Sequence, residues 1–335
     1  MLSHNPASTR EKYGVEAVDR MSPMAILRAV KKCDMLISGG GSLLQDVTSS
    51  KSLHYYLSII RCAEFFHKKV FIYSQGIGPI DRPGNRRAAA AALKRADGIV
   101  VRDERSAALL EEIGIARDKV VITADPVIRM KKPDGDVGAE ILRKAGVSLD
   151  GRLTVGWAIR ERDTDSRFVK ELLRSIQMMK DKYNAQSVLI PFHYEEDGEV
   201  CRHIAAQLPD DTAVCLNEKY LSEDMLSIIG NMDLLVGVRL HSLIYAAIMG
   251  VPLIGISYDP KCTAFLNSVG LDKLSTTENF TAELFLPEAG RAPEPGQEQV
   301  QSAEAHMAHL SRKLDQHANT NCATIAEPRK PTLKP

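Results

Sequence analysis

The feature of this sequence that most constrains its fold is an alternation of short apolar runs, each ending in a small residue, with helical stretches. Strands separated by helices pair in parallel through right-handed crossovers, so the alternation predicts a doubly wound α/β sheet. In the first part of the chain we expect strands at Asp34–Ser38, Val70–Ser74, Gly98–Val101 and Val120–Thr123. Helices are expected near Ser50–His67, Asn85–Arg95 and Glu104–Ile113.

The alternation restarts after Lys131–Val137, where charged residues, proline and glycine cluster as in a linker. Strands are then expected at Leu153–Ala158, Ser187–Pro191, Ala213–Leu216, Leu234–Val238 and Leu253–Ser257. Helices are expected at Ser166–Tyr183, Gly198–Gln207, Ser222–Gly230, Ser242–Met249 and Pro260–Val269. The 335 residues therefore predict two Rossmann-like domains, residues 1–130 and 138–290, facing a ligand-binding cleft. Residues 291–335 are expected to form a polar helix and a frayed basic tail.

The composition argues against several classes of protein. Lysine and arginine total 43, and aspartate and glutamate also total 43, so the basic excess typical of nucleic-acid binding is absent. Six cysteines occur singly, which argues against a zinc ribbon or a disulfide framework and favours a reducing cytoplasm. The first twenty residues lack the apolar core of a secretory signal. The longest apolar stretch, Leu243–Ile256, is too short to cross a bilayer.

Two loops that follow strands of the first domain are candidate substrate sites. Free N–H groups in a glycine turn can bind anions, and the polar residues that follow suit a hydroxyl-rich acceptor such as a sugar. The first loop offers these features at Gly39, Gly40, Gly41, Ser42, Gln45 and Asp46. The second loop carries Gln75 and, at its tip, Asp81. Neither loop matches a dinucleotide fingerprint or a P-loop, and a packing turn or an Asx cap would explain them equally well.

Basic residues follow the predicted strands of the second domain. Arg160 ends the first strand, where its guanidinium suits a carboxylate or phosphate, although it could instead pair with Glu161 or Asp163. Arg239 and His241 stand where a strand gives way to a helix, which combines an anion site with a group able to carry a proton. Lys261 and His193 follow two further strands; Lys261 could instead be a solvated surface lysine, and His193 a structural histidine. No metal-ligand or serine-hydrolase motif is present, so neither a metal nor a cofactor is expected.

At these residues the chain resembles the polysaccharide pyruvyl transferase family, most closely its bacterial cell-wall branch, the CsaB-type enzymes. The matching segments are Ser38–Asp46, Ser74–Pro79, Arg102–Asp103 with Ser106, Thr123–Pro126, Arg160, Pro191–His193 and Gly237–His241. Members of this family usually begin with a strand and a G-N-x-G-D-E-A-like loop. This sequence opens instead with what reads as the end of a strand, so its first domain is expected to lack one strand–loop unit.

The resemblance implies a GT-B-like fold and transfer of the carbon skeleton of phosphoenolpyruvate onto two hydroxyls of a sugar. The product is a cyclic ketal, and phosphate is released. For the CsaB-type branch the implied acceptor is an N-acetylmannosamine residue of a lipid-linked precursor, whose polymer anchors S-layer proteins. Arg160 and Arg239 would bind the donor, His241 and Asp81 would exchange protons, and Lys261 would stabilise the departing phosphate.

Two other functions remain open from the sequence. A GT-B glycosyltransferase could use the same helix-start anion site for a nucleotide sugar, and a non-catalytic anion- or glycan-binding protein would need no proton-transfer residue. Contact with the inner face of the membrane would follow from a lipid-linked acceptor. The helix predicted to carry Arg86, Arg87, Lys94 and Arg95 could provide it, or could be an ordinary solvated surface.

Overall fold

The computed structural model describes residues 1–47, 49–291, 307–309 and 312. The chain divides into two compact units, one formed by residues 1–126 together with Arg312, the other starting at Val127. The segment predicted to be a linker, Lys131–Val137, therefore lies within the second unit. The helix that begins at Val137 is fixed there because the Gly138 N–H donates to Ser227 Oγ at 2.8 Å. Most of the predicted C-terminal tail lies outside the described residues; 307–309 and 312 are helical.

The first unit is a four-stranded parallel sheet with helices around it and a separate two-stranded parallel pair. Its strands are β1 (Leu2–Ser3), β2 (Val18–Asp19), β3 (Met35–Gly39), β4 (Lys69–Gln75), β5 (Gly98–Val101) and β6 (Val120–Ile122). Its helices are α1 (Pro6–Tyr13), α2 (Pro23–Lys32), α3 (Ser50–Phe65), α4 (Pro83–Leu93) and α5 (Glu104–Glu112). The sheet order is β3-β4-β5-β6, and β1 pairs with β2. The four strands predicted for this sheet are confirmed to within two residues.

Strand β3 forms an edge of this sheet. Within the described residues no strand pairs with its outer side, and Ile37 is 59% exposed there. A largely apolar cavity of about 620 Å³ lies between β3, the β1–β2 pair and the helices α2 and α3. The rest of the unit packs normally, with Leu53, Leu57 and Ile72 buried between sheet and helices.

The second unit is a six-stranded parallel sheet of order β12-β11-β10-β7-β8-β9. Its strands are β7 (Thr154–Ala158), β8 (Gln186–Leu189), β9 (Ala213–Cys215), β10 (Leu234–Gly237), β11 (Leu253–Ser257) and β12 (Ser275–Thr276). Its helices are α6 (Val137–Lys144), α7 (Arg167–Tyr183), α8 (Tyr194–Ala206), α9 (Ser222–Ile229), α10 (Leu240–Met249), α11 (Pro260–Ser268) and α12 (Ala282–Arg291). Trp157 is fully buried in the core, and its indole N–H donates to Ser187 Oγ at 3.0 Å.

Helix α8 begins four residues earlier than predicted. Its first turn contains Glu195, Glu196 and Asp197, and negative charge stabilises the N-terminus of a helix. The Asp197 carboxylate also accepts a hydrogen bond from the backbone N–H of His193 at 2.8 Å. These interactions extend the helix to the end of the loop that follows β8, and they bring two carboxylates to the edge of the sheet.

In the part of the chain that the structure describes, none of the helices has both the length and the apolar character that a membrane crossing requires.

Candidate functional site

Four predicted site residues follow strands of the second sheet. Arg160 comes after β7, His193 after β8, Arg239 after β10 and Lys261 after β11. Strand β10 pairs in parallel with both β7 and β11, and β7 with β8, so the carboxyl ends of these strands lie at one edge. That edge is where open parallel sheets bind their ligands.

Arg160 and Lys261 share an aromatic neighbour, Tyr258. The guanidinium carbon of Arg160 lies 4.3 Å from the centre of the Tyr258 ring, and Lys261 Nζ lies 5.7 Å from it. Lys261 also pairs with Asp259 at 3.4 Å. The Nε of Arg160 is buried and has no hydrogen-bond partner within the described residues. A buried donor of this kind is costly to leave unpaired, so it is a direct indication of where a ligand acceptor could bind.

Arg239 is held by two carboxylates of α8. Its Nε donates to Asp197 Oδ2 at 3.1 Å, and its Nη2 donates to Asp197 Oδ1 and, at 3.2 Å, to Glu196 Oε2. The Asp197 side chain is only 1% exposed. Burial works against the charged guanidinium, but hydrogen bonds and attraction from Asp197, supported by Glu196, outweigh it and raise the pKa of Arg239. Arg239 therefore stays charged, and any anion it binds must share it with these carboxylates.

The two histidines lie on the surface of the same edge. His193 is exposed and precedes α8, with its backbone rather than its ring tied to Asp197. His241 is exposed in the first turn of α10, two residues after Arg239. The partial positive charge of that helix start lies beside Arg239, so the edge combines two guanidiniums, one ammonium and a helix N-terminus. Such an arrangement can bind a small polyanion and offers it an imidazole.

In the first unit, the glycine loop after β3 is joined to the loop after β4 by backbone hydrogen bonds. Gly40 N donates to Tyr73 O at 3.1 Å, and Gly76 N donates to Gly41 O at 2.9 Å. Gly40 and Gly41 have φ angles of 78° and 62°, a region that side chains disfavour. The three glycines therefore form a turn that joins the loop after β3 to the loop after β4, which agrees with the packing turn considered above.

Arg102 stabilises this pair of loops, a role that the sequence did not reveal. Its side chain is only 8% exposed and pairs with Asp125 at 2.8 Å, while its Nη2 donates to Ser42 Oγ at 2.9 Å. The guanidinium lies flat against Gly76, where a Cβ atom would come within 2.7 Å of it. Any residue larger than glycine at position 76 would displace Arg102, which would in turn release Ser42.

Gln75 has a buried acceptor available for a ligand. Its amide nitrogen donates to Ser38 Oγ at 2.9 Å, whereas its Oε1 has no hydrogen-bond partner within the described residues. Gln45, on the neighbouring loop, is half-buried. The buried oxygen of Gln75 could accept a hydrogen bond from a sugar hydroxyl.

Asp46 and Asp81 are linked within the first unit. Asp46 is buried, and its carboxylate accepts hydrogen bonds from Asp81 N at 2.9 Å, Arg82 N at 3.2 Å and the Asn85 amide at 2.7 Å. Burial tends to raise the pKa of Asp46, but these hydrogen bonds together lower it. The structure thus gives Asp46 the role of a loop anchor, and a direct contact with substrate stays a prediction. The side chain of Asp81 is exposed.

We expect Asp46→Asn to lower the free energy of unfolding at pH 7 by about 2–3 kcal/mol, because charge-assisted hydrogen bonds to buried donors are lost. The folded-state pKa of Asp46 lies below the unfolded value, so its contribution is present above the unfolded pKa and is lost as the pH falls through the folded one. Urea unfolding should therefore show that the free energies of unfolding of wild type and Asp46→Asn differ less at about pH 3 than at pH 7. The exposed Asp118→Asn serves as control; equal stability of Asp46→Asn and wild type at pH 7 would contradict the anchoring role.

Within the described residues, no group of three or more histidine, cysteine, aspartate or glutamate side chains is arranged to hold a metal ion.

Comparison with solved structures shows the class of fold. A putative UDP-N-acetylglucosamine 2-epimerase from Listeria monocytogenes superimposes with a TM-score of 0.64 at 12% identity, covering 97% of this chain and 86% of that one. HepE of Anabaena, in complex with UDP and glucose, gives a TM-score of 0.63 at 11% identity, covering 95% and 89%. S. aureus MnaA, solved with UDP, gives 0.63 at 13% identity, covering 98% and 90%. The protein is thus an α/β protein of the GT-B-like class, as predicted.

Sequence comparison identifies the family. The model of the polysaccharide pyruvyl transferase family matches residues 1–260, so the chain belongs to that family. AmsJ, an amylovoran biosynthesis protein of Erwinia amylovora, is 21% identical in an alignment 263 residues long that covers 74% of this chain and 62% of AmsJ. The chain therefore spans less than two thirds of the length of this relative.

Proposed function

We propose that this chain transfers a pyruvyl group from phosphoenolpyruvate to a saccharide during polysaccharide biosynthesis. Membership of the family supports this reaction, and the structural observation that carries it is the buried Nε of Arg160, which no other described residue hydrogen-bonds. Phosphoenolpyruvate presents a phosphate and a carboxylate on three carbons. The cationic edge formed by Arg160, Lys261 and Arg239 matches both anionic groups.

In the proposed reaction, the methylene carbon of phosphoenolpyruvate gains a proton while a sugar hydroxyl loses one and attacks the adjacent carbon. A second hydroxyl then forms the other C–O bond of the ketal, the bond from carbon to the phosphate oxygen breaks, and the second hydroxyl proton leaves with the phosphate. No oxidant or reductant is needed. His241 and Asp81 are the proposed proton-transfer groups, and Lys261 stabilises the negative charge that develops on the phosphate.

The acceptor side of the proposal rests on the first unit. The Gln75 oxygen, which accepts no hydrogen bond from the part of the chain that the structure describes, and the loop Gly39–Ser42, held by Arg102, suit a hydroxylated ring. We propose a lipid-linked saccharide containing N-acetylmannosamine, as in the CsaB-type branch, with the product serving secondary cell-wall polymers that anchor S-layer proteins. The proposed location is the cytoplasm, with peripheral contact at the inner face of the membrane.

The basic helix face proposed for membrane contact is smaller than the sequence suggested. Arg86 donates to Ile80 O at 2.7 Å and pairs with Glu112 at 3.3 Å, so it is engaged within the protein. Arg87, Lys94 and Arg95 are exposed, but α4 ends at Leu93, so Lys94 caps the helix and Arg95 lies in the turn after it, not on the helix as predicted. If the protein co-sediments with anionic liposomes and charge reversal of these three residues abolishes this, contact with the membrane is supported. Unchanged co-sedimentation would show that these residues do not contribute to membrane contact.

The proposed reaction is tested by mixing the full chain with phosphoenolpyruvate and a lipid-pyrophosphoryl disaccharide that contains N-acetylmannosamine. Phosphate release and a matching mass gain of the saccharide should occur together. Lys261→Met should slow both, whereas Lys273→Met, at an exposed position on the same unit, should not. Phosphate release without a change in the saccharide, or no release with any saccharide offered, would contradict the proposal.

A second candidate is a glycosyltransferase that uses a nucleotide sugar. It is favoured by the fold neighbours, since HepE was solved with UDP and glucose and MnaA with UDP. A UDP-sugar should then displace phosphoenolpyruvate from the chain. If phosphoenolpyruvate stays bound at excess UDP-sugar, the pyruvyl-transfer proposal is favoured.

In the proposed pyruvyl transfer, Glu196 competes with phosphoenolpyruvate for Arg239. The hydrogen bond from Arg239 lowers the pKa of Glu196, so the carboxylate is charged at neutral pH and occupies Nη2 of Arg239. We expect Glu196→Gln to tighten phosphoenolpyruvate binding by about two- to fivefold, the range expected for one partly exposed ion pair. Titration calorimetry measures this.

The neighbouring Glu195→Gln is the matched control, since Glu195 pairs with Lys219 at 2.8 Å instead. It should leave the affinity unchanged. Weaker binding by Glu196→Gln would show that Glu196 supports the site rather than competing within it.

A further inference from the structure

We propose that Tyr258 is a positioning residue, whose ring orders both Arg160 and Lys261 for a dianionic donor. This inference rests on the proposed function for the nature of the donor. Arg160 lies against one ring at 4.3 Å from its centre, and Lys261 Nζ lies 5.7 Å from the same centre. Cations within about 6 Å of an aromatic face are attracted by its negative quadrupole.

The ring itself is held by the turn between β11 and α11. Ser257 Oγ donates to Asp259 O at 3.0 Å and lies 2.9 Å from Thr263 Oγ1. Lys261 N donates to Asp259 Oδ1 at 2.9 Å, which caps the start of α11. These contacts fix the backbone on both sides of Tyr258, so its half-buried ring has a defined position.

The contact of both cations with one ring reduces the cost of holding two positive charges close together. Two like charges repel, and the long side chains of arginine and lysine lose considerable rotamer freedom when they are fixed. A rigid ring that attracts both charges offsets the repulsion and orders the side chains before the donor arrives, which increases affinity without an additional contact to the ligand. The Asp259 carboxylate, 3.4 Å from Lys261, contributes to the same ordering.

Two variants separate the ring from the hydroxyl. Tyr258→Phe keeps the ring face and should bind phosphoenolpyruvate and inorganic phosphate within about twofold of wild type. Tyr258→Leu removes the ring and should weaken both by about 5- to 30-fold, the range of one partly to fully desolvated cation–π contact. In turnover the loss should appear as a raised KM with kcat little changed. Tyr183→Leu is the control, since Lys182 Nζ lies 5.1 Å from that half-buried ring on α7.

A second measurement tests Tyr258 independently of the donor. The ring current of Tyr258 should shift the Nε–H resonance of Arg160 upfield in the wild-type NMR spectrum. The shift should persist in Tyr258→Phe and vanish in Tyr258→Leu, while the Arg160→Lys spectrum assigns the signal. Binding of neither phosphoenolpyruvate nor phosphate by the wild type would overturn the proposed function. An Arg160 resonance and donor affinity unchanged in Tyr258→Leu would overturn the role of Tyr258 alone.

Discussion

Replacing Arg160 with methionine is expected to weaken phosphoenolpyruvate binding by about 100-fold or more. Methionine retains much of the apolar bulk of arginine but removes the charge and all hydrogen-bond donors. A charge-assisted hydrogen bond contributes about 1.5–3 kcal/mol, and a guanidinium can make two to one phosphate or carboxylate. Titration calorimetry at fixed salt and pH measures the loss, and circular dichroism verifies that the variant is folded.

The control for this change is Arg162→Met, two residues further along the chain. Arg162 is 78% exposed and lies 3.8 Å from Glu196, so it contributes a similar formal charge without belonging to the Tyr258 cluster. Its loss should change the affinity by less than about threefold, which is typical of a solvated surface charge. Similar losses in both variants would mean that the donor is attracted by the general field of this edge and not bound by Arg160.

Replacing His241 with alanine is expected to lower kcat by about 100- to 10,000-fold, the usual contribution of a positioned general acid or base. His241 is exposed in the first turn of α10, and we propose that its ring exchanges a proton with the bound donor. Binding of phosphoenolpyruvate should remain within a fewfold of wild type, because Arg160, Arg239 and Lys261 are intact. Steady-state kinetics and calorimetry measured on the same preparation separate the two effects.

His54→Ala, an exposed histidine on α3, is the control and should retain full turnover. Unchanged turnover in His241→Ala would remove His241 from the mechanism. A large loss of donor binding, with kcat preserved at saturation, would instead make it a binding residue.

Much of the fold could be predicted because the strands are apolar and end in small residues. The strand Leu253–Ser257 matches its prediction to the residue, and the alternation with helices predicts the parallel pairing that the sheets show. Helix α1 was missed because its sequence is polar and none of its residues is buried, so it has no apolar periodicity to detect. It forms through local signals instead, since the Asn5 side chain accepts from Ser8 N at 3.1 Å and Pro6 lies at its start.

The candidate site was predictable in position but not in its pairings. Parallel sheets bind their ligands at the carboxyl ends of the strands, and this rule alone sufficed to select Arg160, Arg239 and Lys261. The partner of Arg239, Asp197, lies 42 residues away, and no local pattern connects the two. Tyr258 directly follows β11, but its role depends on Arg160 and Lys261, which only the folded sheet brings to its ring. Pairings across a sheet arise from tertiary packing, which a single sequence does not display.

The most direct test of the central claim is a crystal structure of the full chain with phosphoenolpyruvate bound. The account predicts that oxygens of its phosphate or carboxylate lie about 3 Å from the guanidinium nitrogens of Arg160, which still rests on the ring of Tyr258. Nζ of Lys261 should approach the phosphate. Well-defined density for the donor elsewhere on the protein, with Arg160 and Lys261 making no contact to it, would contradict the account.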